Sequence, residues 1–140
     1  MDLEREDQTG RVLGAAIEVH RTLGPGFLES VYEKALAIEL GRQQIPFARQ
    51  VEVPVLYKGK EVGLHVLDLL VEDRIVVELK AVRRLEDVHF AVVRSYLKAI
   101  GQDLGLLLNF AEPTLQIKRI SSRSSPGCSL PGFLDSRCVG

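Results

Sequence analysis

The sequence contains few of the residues from which zinc sites, disulfide frameworks and membrane spans are built. Its two cysteines, Cys128 and Cys138, form no CxxC pair, and its three histidines lack metal-ligand spacing. This pattern indicates neither a disulfide framework nor a zinc site. No apolar run approaches the roughly 20 residues that a membrane span requires. The acidic start of the chain is also not that of a signal peptide, so we expect a cytoplasmic protein.

A strong charge imbalance is missing as well. The chain has 18 basic and 19 acidic residues, so net charge alone does not predict strong non-specific binding to nucleic acid. The absence of a phosphate-binding glycine loop and of a nucleophile triad disfavours a small-molecule enzyme. With 140 residues, of which 46% are hydrophobic, the chain can bury one core. We predict one domain over residues 1–120 and a disordered Ser/Gly/Pro-containing tail over residues 121–140.

Apolar periodicity predicts three helices and five strands. The helices are predicted over residues 3–22, 27–43 and 86–100, and the strands over residues 47–57, 66–71, 75–81, 104–110 and 115–120. The predicted buried stripes are Leu28, Val31, Ala35, Leu36 and Leu40 in the second helix, and Val88, Ala91, Val92, Tyr96 and Leu97 in the third. Pro54 indicates an edge strand. A helix between two apolar strands predicts a parallel crossover.

The second and third predicted strands form a hairpin that organises the chain. If its loop is residues 72–74, Asp68 and Glu78 lie opposite one another, and Lys80 points to the same face as Glu78. Like charges at cross-strand distance repel, so Lys80, a shared proton or a divalent cation must offset the repulsion. Two acids and a lysine suit metal-assisted phosphodiester hydrolysis. A structural salt bridge explains the same residue types equally well.

Two motifs in this order resemble a known family. Asp68 followed after nine residues by Glu78-Leu79-Lys80 resembles the signature of PD-(D/E)xK, or restriction-endonuclease-like, nucleases. The segment Gly26-Phe27-Leu28-Glu29-Ser30-Val31-Tyr32 is similar to that of the small GxxExxY proteins of this superfamily. The resemblance extends from about residue 20 to residue 120. It implies an α/β restriction-endonuclease-like fold with an α-β-β-β-α-β core, in which helices flank a mixed central sheet.

The resemblance also implies a Mg²⁺-dependent or Mn²⁺-dependent nuclease. Asp68, Glu78 and Glu29 would be metal ligands, and Lys80 would be the catalytic lysine. From spacing alone, the favoured interpretation of Glu29 is a first-turn acid that favours the helix dipole or caps the helix. The implied partner is nucleic acid, with DNA favoured and no membrane involved. Arg83, Arg84, Arg94 and Lys98 are candidate phosphate contacts, or else solvated charges on the helix surface.

Two positions depart from the family pattern. The superfamily often has Gln four residues before the tyrosine of the next helix, where this chain has Val92 before Tyr96. The residue two before the aspartate is commonly polar or basic, and here it is Val66. The alternative function is therefore a catalytically lapsed nuclease-fold module that acts in protein or nucleic-acid interactions. A homodimer would add phosphate contacts to a surface of low positive charge.

Overall fold

The computed structural model describes residues 3–122, which form a mixed sheet between two layers of helices. The elements in chain order are α1 (Leu3–Leu23), α2 (Glu29–Arg42), β1 (Phe47–Tyr57), β2 (Lys60–Val71), β3 (Ile75–Lys80), α3 (Asp87–Ile100), β4 (Leu104–Asn109) and β5 (Gln116–Ser121). The tail was predicted to begin at Ser121, but Ser121 is the last residue of β5; from residue 123 onward the predicted tail lies outside the described residues. Among the described residues, no helix is both long and apolar enough to cross a membrane.

The five strands are arranged in the order β1-β2-β3-β4-β5. Neighbouring strands are antiparallel except for β3 and β4, which are parallel and connected through α3. The predicted parallel crossover is therefore confirmed. Pro54 lies on β1, an edge strand, as predicted from its inability to donate a ladder hydrogen bond. The mixed sheet with flanking helices confirms the predicted α/β fold class.

The core has two parts, one on each face of the sheet. One face is covered by α1 and α2, which bury residues such as Ala16, Leu36 and Leu40 against the sheet. The other face is covered by α3, whose Val93 and Leu97 pack on the strands. Burying a large aliphatic side chain stabilises the fold by about 1.5–3 kcal/mol. Both faces of the central strands are thus protected from water, which explains why β3 and β4 are apolar almost throughout.

The predicted buried stripes of two helices are partly wrong. Leu28 is 76% exposed and Val31 is 37% exposed, whereas Tyr32 is fully buried. The reason is that α2 begins at Glu29, so Leu28 precedes the helix and occupies its N-cap position. In α2 only the later stripe residues, represented by Leu36, lie in the core as predicted.

In α3, Val88 and Ala91 are exposed, and Val93 takes the buried position that was assigned to Val92. One residue corresponds to about 100° of rotation around a helix. A shift of one position therefore moves the predicted stripe off the sheet. Only Leu97, among the predicted stripe residues of α3, is fully buried.

Candidate active site

The candidate site lies where β2 and β3 separate. Their ladder pairs Val71 with Ile75 and ends at Leu69 with Val77. These pairs have the predicted register, but the ladder ends before the predicted pair of Asp68 and Glu78. β2 nevertheless continues away from the turn, paired only with β1. Asp68, the next residue of β2, accepts a hydrogen bond from the Leu79 backbone N–H at 3.0 Å. Just beyond the last ladder pair, the Asp68 side chain thus accepts a hydrogen bond from the backbone of β3.

Glu78 and Lys80 lie next to Asp68 at the end of β3. The Lys80 Nζ is 3.7 Å from the Glu78 Oε2, so the predicted pairing on one side of the strand is present. Glu78 is only 6% exposed. Its Oε1 is buried and accepts no hydrogen bond from a donor group of the described residues, although the Asp68 carboxyl is close enough to hydrogen-bond with Glu78 when one of the two is protonated. Since buried polar atoms are normally satisfied, this oxygen is a candidate ligand atom.

The surroundings of these acids oppose their ionisation. Burial, followed by the charge of Asp68, raises the pKa of Glu78 to about 8, although Lys80 acts in the opposite direction. Burial also raises the pKa of Asp68, while the hydrogen bond from Leu79 opposes the increase. Two neighbouring carboxyl groups with one ammonium group therefore retain a proton at neutral pH unless another cation is present.

Glu29 reaches the same end of β3 from the helical layer formed by α1 and α2. It is the first residue of α2, and its Oε2 accepts a hydrogen bond from the Ala81 backbone N–H at 3.3 Å. Its charge contributes to the raised pKa of Glu78. Glu29 therefore faces the Asp68 and Glu78 cluster rather than the solvent on the far side of α2. A role as a dipole-favouring acid is compatible with the same position.

The loop before α2 is held by Tyr32. The Tyr32 hydroxyl donates to the Gly24 carbonyl at 2.6 Å and accepts from the Phe27 N–H at 3.2 Å. Its ring stacks on Phe110 with a centroid distance of 4.5 Å. Gly26 in this loop has φ of +111°, a conformation that glycine adopts readily. Tyr32 thus fixes the path of the chain into α2 and, with it, the position of Glu29.

The three predicted metal ligands are not equally close to one another. In residues 3–122, no three His, Cys, Asp or Glu side chains are grouped closely enough to hold a metal ion. The pair of Asp68 and Glu78, with one buried oxygen left unsatisfied, has the chemistry that a hard divalent cation requires. Mg²⁺ is often held by one or two protein carboxylates and completes its shell with water and phosphate oxygens. The residues present therefore fit such an ion without a third acid.

Several residues near the site were not predicted to belong to it. Tyr96 of α3 was assigned to a buried stripe, yet it faces the acids: burial, then the charges of Glu78 and Asp68, raise its pKa to about 12. Asn109 is fully buried and binds both the N–H and the carbonyl of Val82, which fixes the segment after Lys80. An isolated polar residue at the end of an apolar strand was the available signal for Asn109.

The four predicted phosphate contacts fall into two pairs. Arg83 and Arg84 are exposed and line a hollow after the end of β3. Arg94 and Lys98 line a different hollow beside Gly101, near the end of α3. The four residues therefore do not form one continuous basic surface beside Glu78.

The fold is a mixed sheet with helices on both faces. Its β2 and β3 strands separate beside two acids and a lysine. This combination is that of a restriction-endonuclease-like protein. A family model described as the PD-(D/E)XK nuclease superfamily matches residues 6–120. The chain belongs to this superfamily.

A solved structure supports the fold alone. The crystal structure of SSO0001 is similar to this chain, with a TM-score of 0.54 and 17% sequence identity. The match covers 69% of this chain and 50% of that chain, so this chain spans about half the length of its structural neighbour. A comparison with curated protein sequences gave no match.

Proposed function

We propose that this protein hydrolyses phosphodiester bonds of nucleic acid, with Mg²⁺ or Mn²⁺ bound by Asp68 and Glu78. The observation that carries the proposal is the buried, unsatisfied Oε1 of Glu78 beside the Asp68 carboxylate. A purely structural acid would be more stable with both carboxylate oxygens paired or solvated, whereas in Glu78 only Oε2 has a partner, Lys80. Superfamily membership supports the same activity.

The chain's own residues divide the work between binding and charge compensation. Asp68 is oriented by the Leu79 N–H, so its other carboxylate oxygen remains available as a ligand. When bound, a divalent cation supplies positive charge for the phosphoryl oxygens and lowers the pKa of a coordinated water. Glu29 adds a third negative charge from the opposite layer. We propose that Glu29 contributes through a bridging water, because its carboxylate already accepts from Ala81.

Lys80 is proposed to act on the reacting groups rather than on the metal. Its ammonium is 3.7 Å from Glu78 and its side chain is 23% exposed, so it can contact both the site and an incoming phosphate. An ammonium in this position orients the attacking water or stabilises charge on the phosphoryl oxygens. This role requires Lys80 to exchange its contact with Glu78 for one with the substrate.

We propose DNA as the substrate and place Arg83 and Arg84 beside it. These two arginines follow Lys80 by only a few residues and line an open hollow, where they can contact phosphates without reading sequence. Arg94 and Lys98 would contact a more distant part of the substrate. Because the chain has a net charge of −1, a homodimer would double the number of phosphate contacts.

We also propose that the chain is a GxxExxY protein. The three motif positions have separate roles that support this assignment: Gly26 permits the loop conformation, Glu29 faces the acids, and Tyr32 secures the loop. A motif whose residues cooperate in placing one acid is more than a coincidence of spacing.

The test is cleavage of single-stranded DNA, double-stranded DNA and RNA with Mg²⁺, Mn²⁺ or EDTA. Cleavage that requires metal and is lost in Asp68→Asn and Glu78→Gln supports the proposal. Glu61→Gln, an exposed acid on β2, is the matched control and should retain activity. Metal binding without cleavage of any nucleic acid would favour the lapsed interaction module, with Val92 the first residue to replace by glutamine. Wild type that binds neither metal would refute the metal site.

A further inference from the structure

The side chains of β1 and β2 exchange faces at one level of the sheet. Leu69 packs in the core under α1 and α2, whereas Leu67, two residues earlier, packs in the core under α3. Residues two apart in a regular strand share a face, so the alternation of β2 breaks at Asp68. The alternation of β1 breaks as well, because Phe47 contacts the first core and Val51 contacts the second. Both strands therefore change faces together, next to the candidate site.

Gln50 is the β1 residue at this level. The ladder pairs Arg49 with Leu69 and resumes at Val51, so Gln50 lies opposite Asp68. Its φ is +51°, in the left-handed region that non-glycine residues rarely adopt. Such a conformation is strained, and it persists only where the surroundings enforce it.

A buried acid on α2 supplies that enforcement. The Gln50 Nε2 donates to both carboxylate oxygens of Glu33, at 2.8 and 3.0 Å. Glu33 is only 7% exposed and also accepts from Nε and Nη2 of Arg49, at 3.2 and 3.1 Å. Charge-assisted, paired hydrogen bonds of this kind are strong and directional. Glu33 thus ties two consecutive residues of β1 to α2 at the level of Asp68.

We infer that Glu33 is a positioning residue: by holding Gln50 in the left-handed conformation, it maintains the change of faces that directs Asp68 towards Leu79 and Glu78. If β2 alternated regularly, Leu67 and Leu69 would share one face of the sheet and Asp68 would point to the opposite face. In the structure Leu67 and Leu69 lie on opposite faces, so the direction of Asp68 depends on the break in alternation. With regular alternation, the Leu79 N–H would lose its carboxylate acceptor. The geometric part of this inference is independent of catalysis, and its consequence for metal binding rests on the proposed function.

The test is hydrogen exchange at two backbone amides of the metal-free protein. The Leu79 amide is bound by Asp68, and the Ala81 amide is bound by Glu29. In Glu33→Ala and Gln50→Val, we expect exchange at Leu79 to accelerate about tenfold or more relative to Ala81, since a β-branched residue opposes positive φ. Gln50→Gly should behave like wild type because glycine adopts this φ without the support of Glu33.

Two further variants distinguish positioning from general destabilisation. Glu33→Ala combined with Gln50→Gly should restore slow exchange at Leu79, because the glycine removes the need for Glu33. Gln44→Val places the same residue at another positive φ, 59°, between α2 and β1, and should leave the ratio of Leu79 to Ala81 exchange unchanged. If a single substitution destabilises the whole fold, exchange accelerates at both amides. The double variant then distinguishes the two explanations, because only a positioning role predicts that it restores slow exchange at Leu79. The inference is overturned if that double variant exchanges at Leu79 as fast as Glu33→Ala.

Mn²⁺ binding, followed by the paramagnetic resonance of free Mn²⁺, provides the functional readout. We expect Gln50→Val to weaken binding at least about fivefold and Gln50→Gly to keep it within a factor of two. If wild type binds no Mn²⁺ while the exchange pattern holds, the proposed function fails and the positioning role stands. If wild type binds Mn²⁺ and both Gln50 variants bind equally well, Gln50 does not position the site and the inference fails.

Discussion

Glu78 has a carboxylate whose surroundings oppose ionisation more than they support it. Lys80 lies at 3.7 Å, but burial and the charge of Asp68 outweigh it and raise the Glu78 pKa to about 8. Ionisation of Glu78 is therefore unfavourable in the metal-free protein and becomes favourable when a cation binds beside it. A raised acid pKa in a cleft is characteristic of functional sites.

The first prediction concerns the pH dependence of stability without metal. Between about pH 4.5 and pH 8, the folded state keeps the Glu78 proton while the unfolded state loses it. The unfolded state therefore binds fewer protons, and the free energy of unfolding falls as pH rises. The contribution approaches about 1 kcal/mol per pH unit within this window. Denaturant unfolding in EDTA at pH 5, 6, 7 and 8 measures it.

Glu78→Gln is the matched variant for this measurement because glutamine cannot ionise. We expect its stability to decline less steeply than that of wild type, so that it becomes equal or more stable near pH 8. Parallel pH curves for the two proteins would show that Glu78 ionises normally in the folded state, contrary to this account of the site.

Lys80 should separate binding from turnover, and this is the second prediction. Lys80→Ala removes an ammonium that acts on the water or the phosphate, while Asp68 and Glu78 remain. Cleavage should fall by about 10²-fold or more, with Mn²⁺ affinity changed by only a factor of a few. Initial cleavage rates and Mn²⁺ titration measure the two quantities. Lys60 is an exposed lysine at the start of β2, and Lys60→Ala should change neither quantity. If Lys80→Ala instead lost metal affinity in parallel with activity, Lys80 would be needed to maintain the metal site rather than to act on the substrate.

The site could be predicted from the sequence only in part. The register that brings Asp68 and Glu78 together follows from the three-residue turn and the period of two. Glu29 depended on resemblance, because spacing alone also fits a helix-capping acid. Gln50 was not predicted, since positive φ usually signals itself through glycine or asparagine. Glu33 was not predicted either, because its partners Arg49 and Gln50 lie on a different element and are distant in sequence.

At the scale of elements, α3 and β4 approach each other unusually closely at Gly105. A Cβ at this position would lie 2.7 Å from Cγ1 of Val93 and 3.4 Å from Cδ1 of Leu97. Both are buried side chains of α3, so neither can move into solvent. Gly105 therefore lets α3 lie close to the sheet. This close packing holds Tyr96, which is on the same helix, near Asp68 and Glu78.

The third prediction is that Gly105→Ala destabilises the protein by about 1–3 kcal/mol through overpacking. Gly63→Ala is the matched control on β2, where the new Cβ would meet only Val55 at an ordinary 3.9 Å. That substitution should be neutral or slightly stabilising, because glycine weakens a strand interior. Urea unfolding of both variants gives the comparison. Equal stabilities would mean that α3 shifts freely on β4 and that close packing does not fix its position.

Element identity was predictable from the sequence to a greater degree than element orientation. The strand bounds of β1 follow directly from alternation, and all three helices occur where periodicity places them. The buried faces of α2 and α3 were less predictable because both helices carry more apolar residues than one face can hold. Ile38, for example, is 67% exposed. Tertiary packing against the sheet selects among such competing stripes, and this choice depends on residues that are distant in sequence.

At the scale of the whole molecule, the sheet brings acids from separate segments to one end of β3. β3 is the central strand and is covered on both faces, so its end has neighbours on every side. α2 brings Glu29, β2 brings Asp68, and α3 brings Tyr96. The repulsion among the carboxyl groups of Glu29, Asp68 and Glu78 is offset by the burial of the two cores, which hold the elements in place. Without a metal, ionising both Asp68 and Glu78 is therefore unfavourable, and the fold cannot relax to separate them.

The last prediction follows from that stored charge. A cation that binds the folded site but not the unfolded chain stabilises the protein by about 2.7 kcal/mol at a hundred times its dissociation constant. For a domain of this size, such a gain raises Tm by about 10 °C. We therefore expect millimolar Mg²⁺ or Mn²⁺ to raise the Tm of wild type but not that of Asp68→Asn or Glu78→Gln. In EDTA near pH 8, these two variants should be as stable as wild type or slightly more so, because each relieves repulsion between the acids. Calorimetry with and without metal gives both comparisons, with Glu61→Gln as the control that should follow wild type. A wild-type Tm that does not respond to either ion would mean that Glu78 is accommodated by its proton and by Lys80 without a metal, and the site would then be structural.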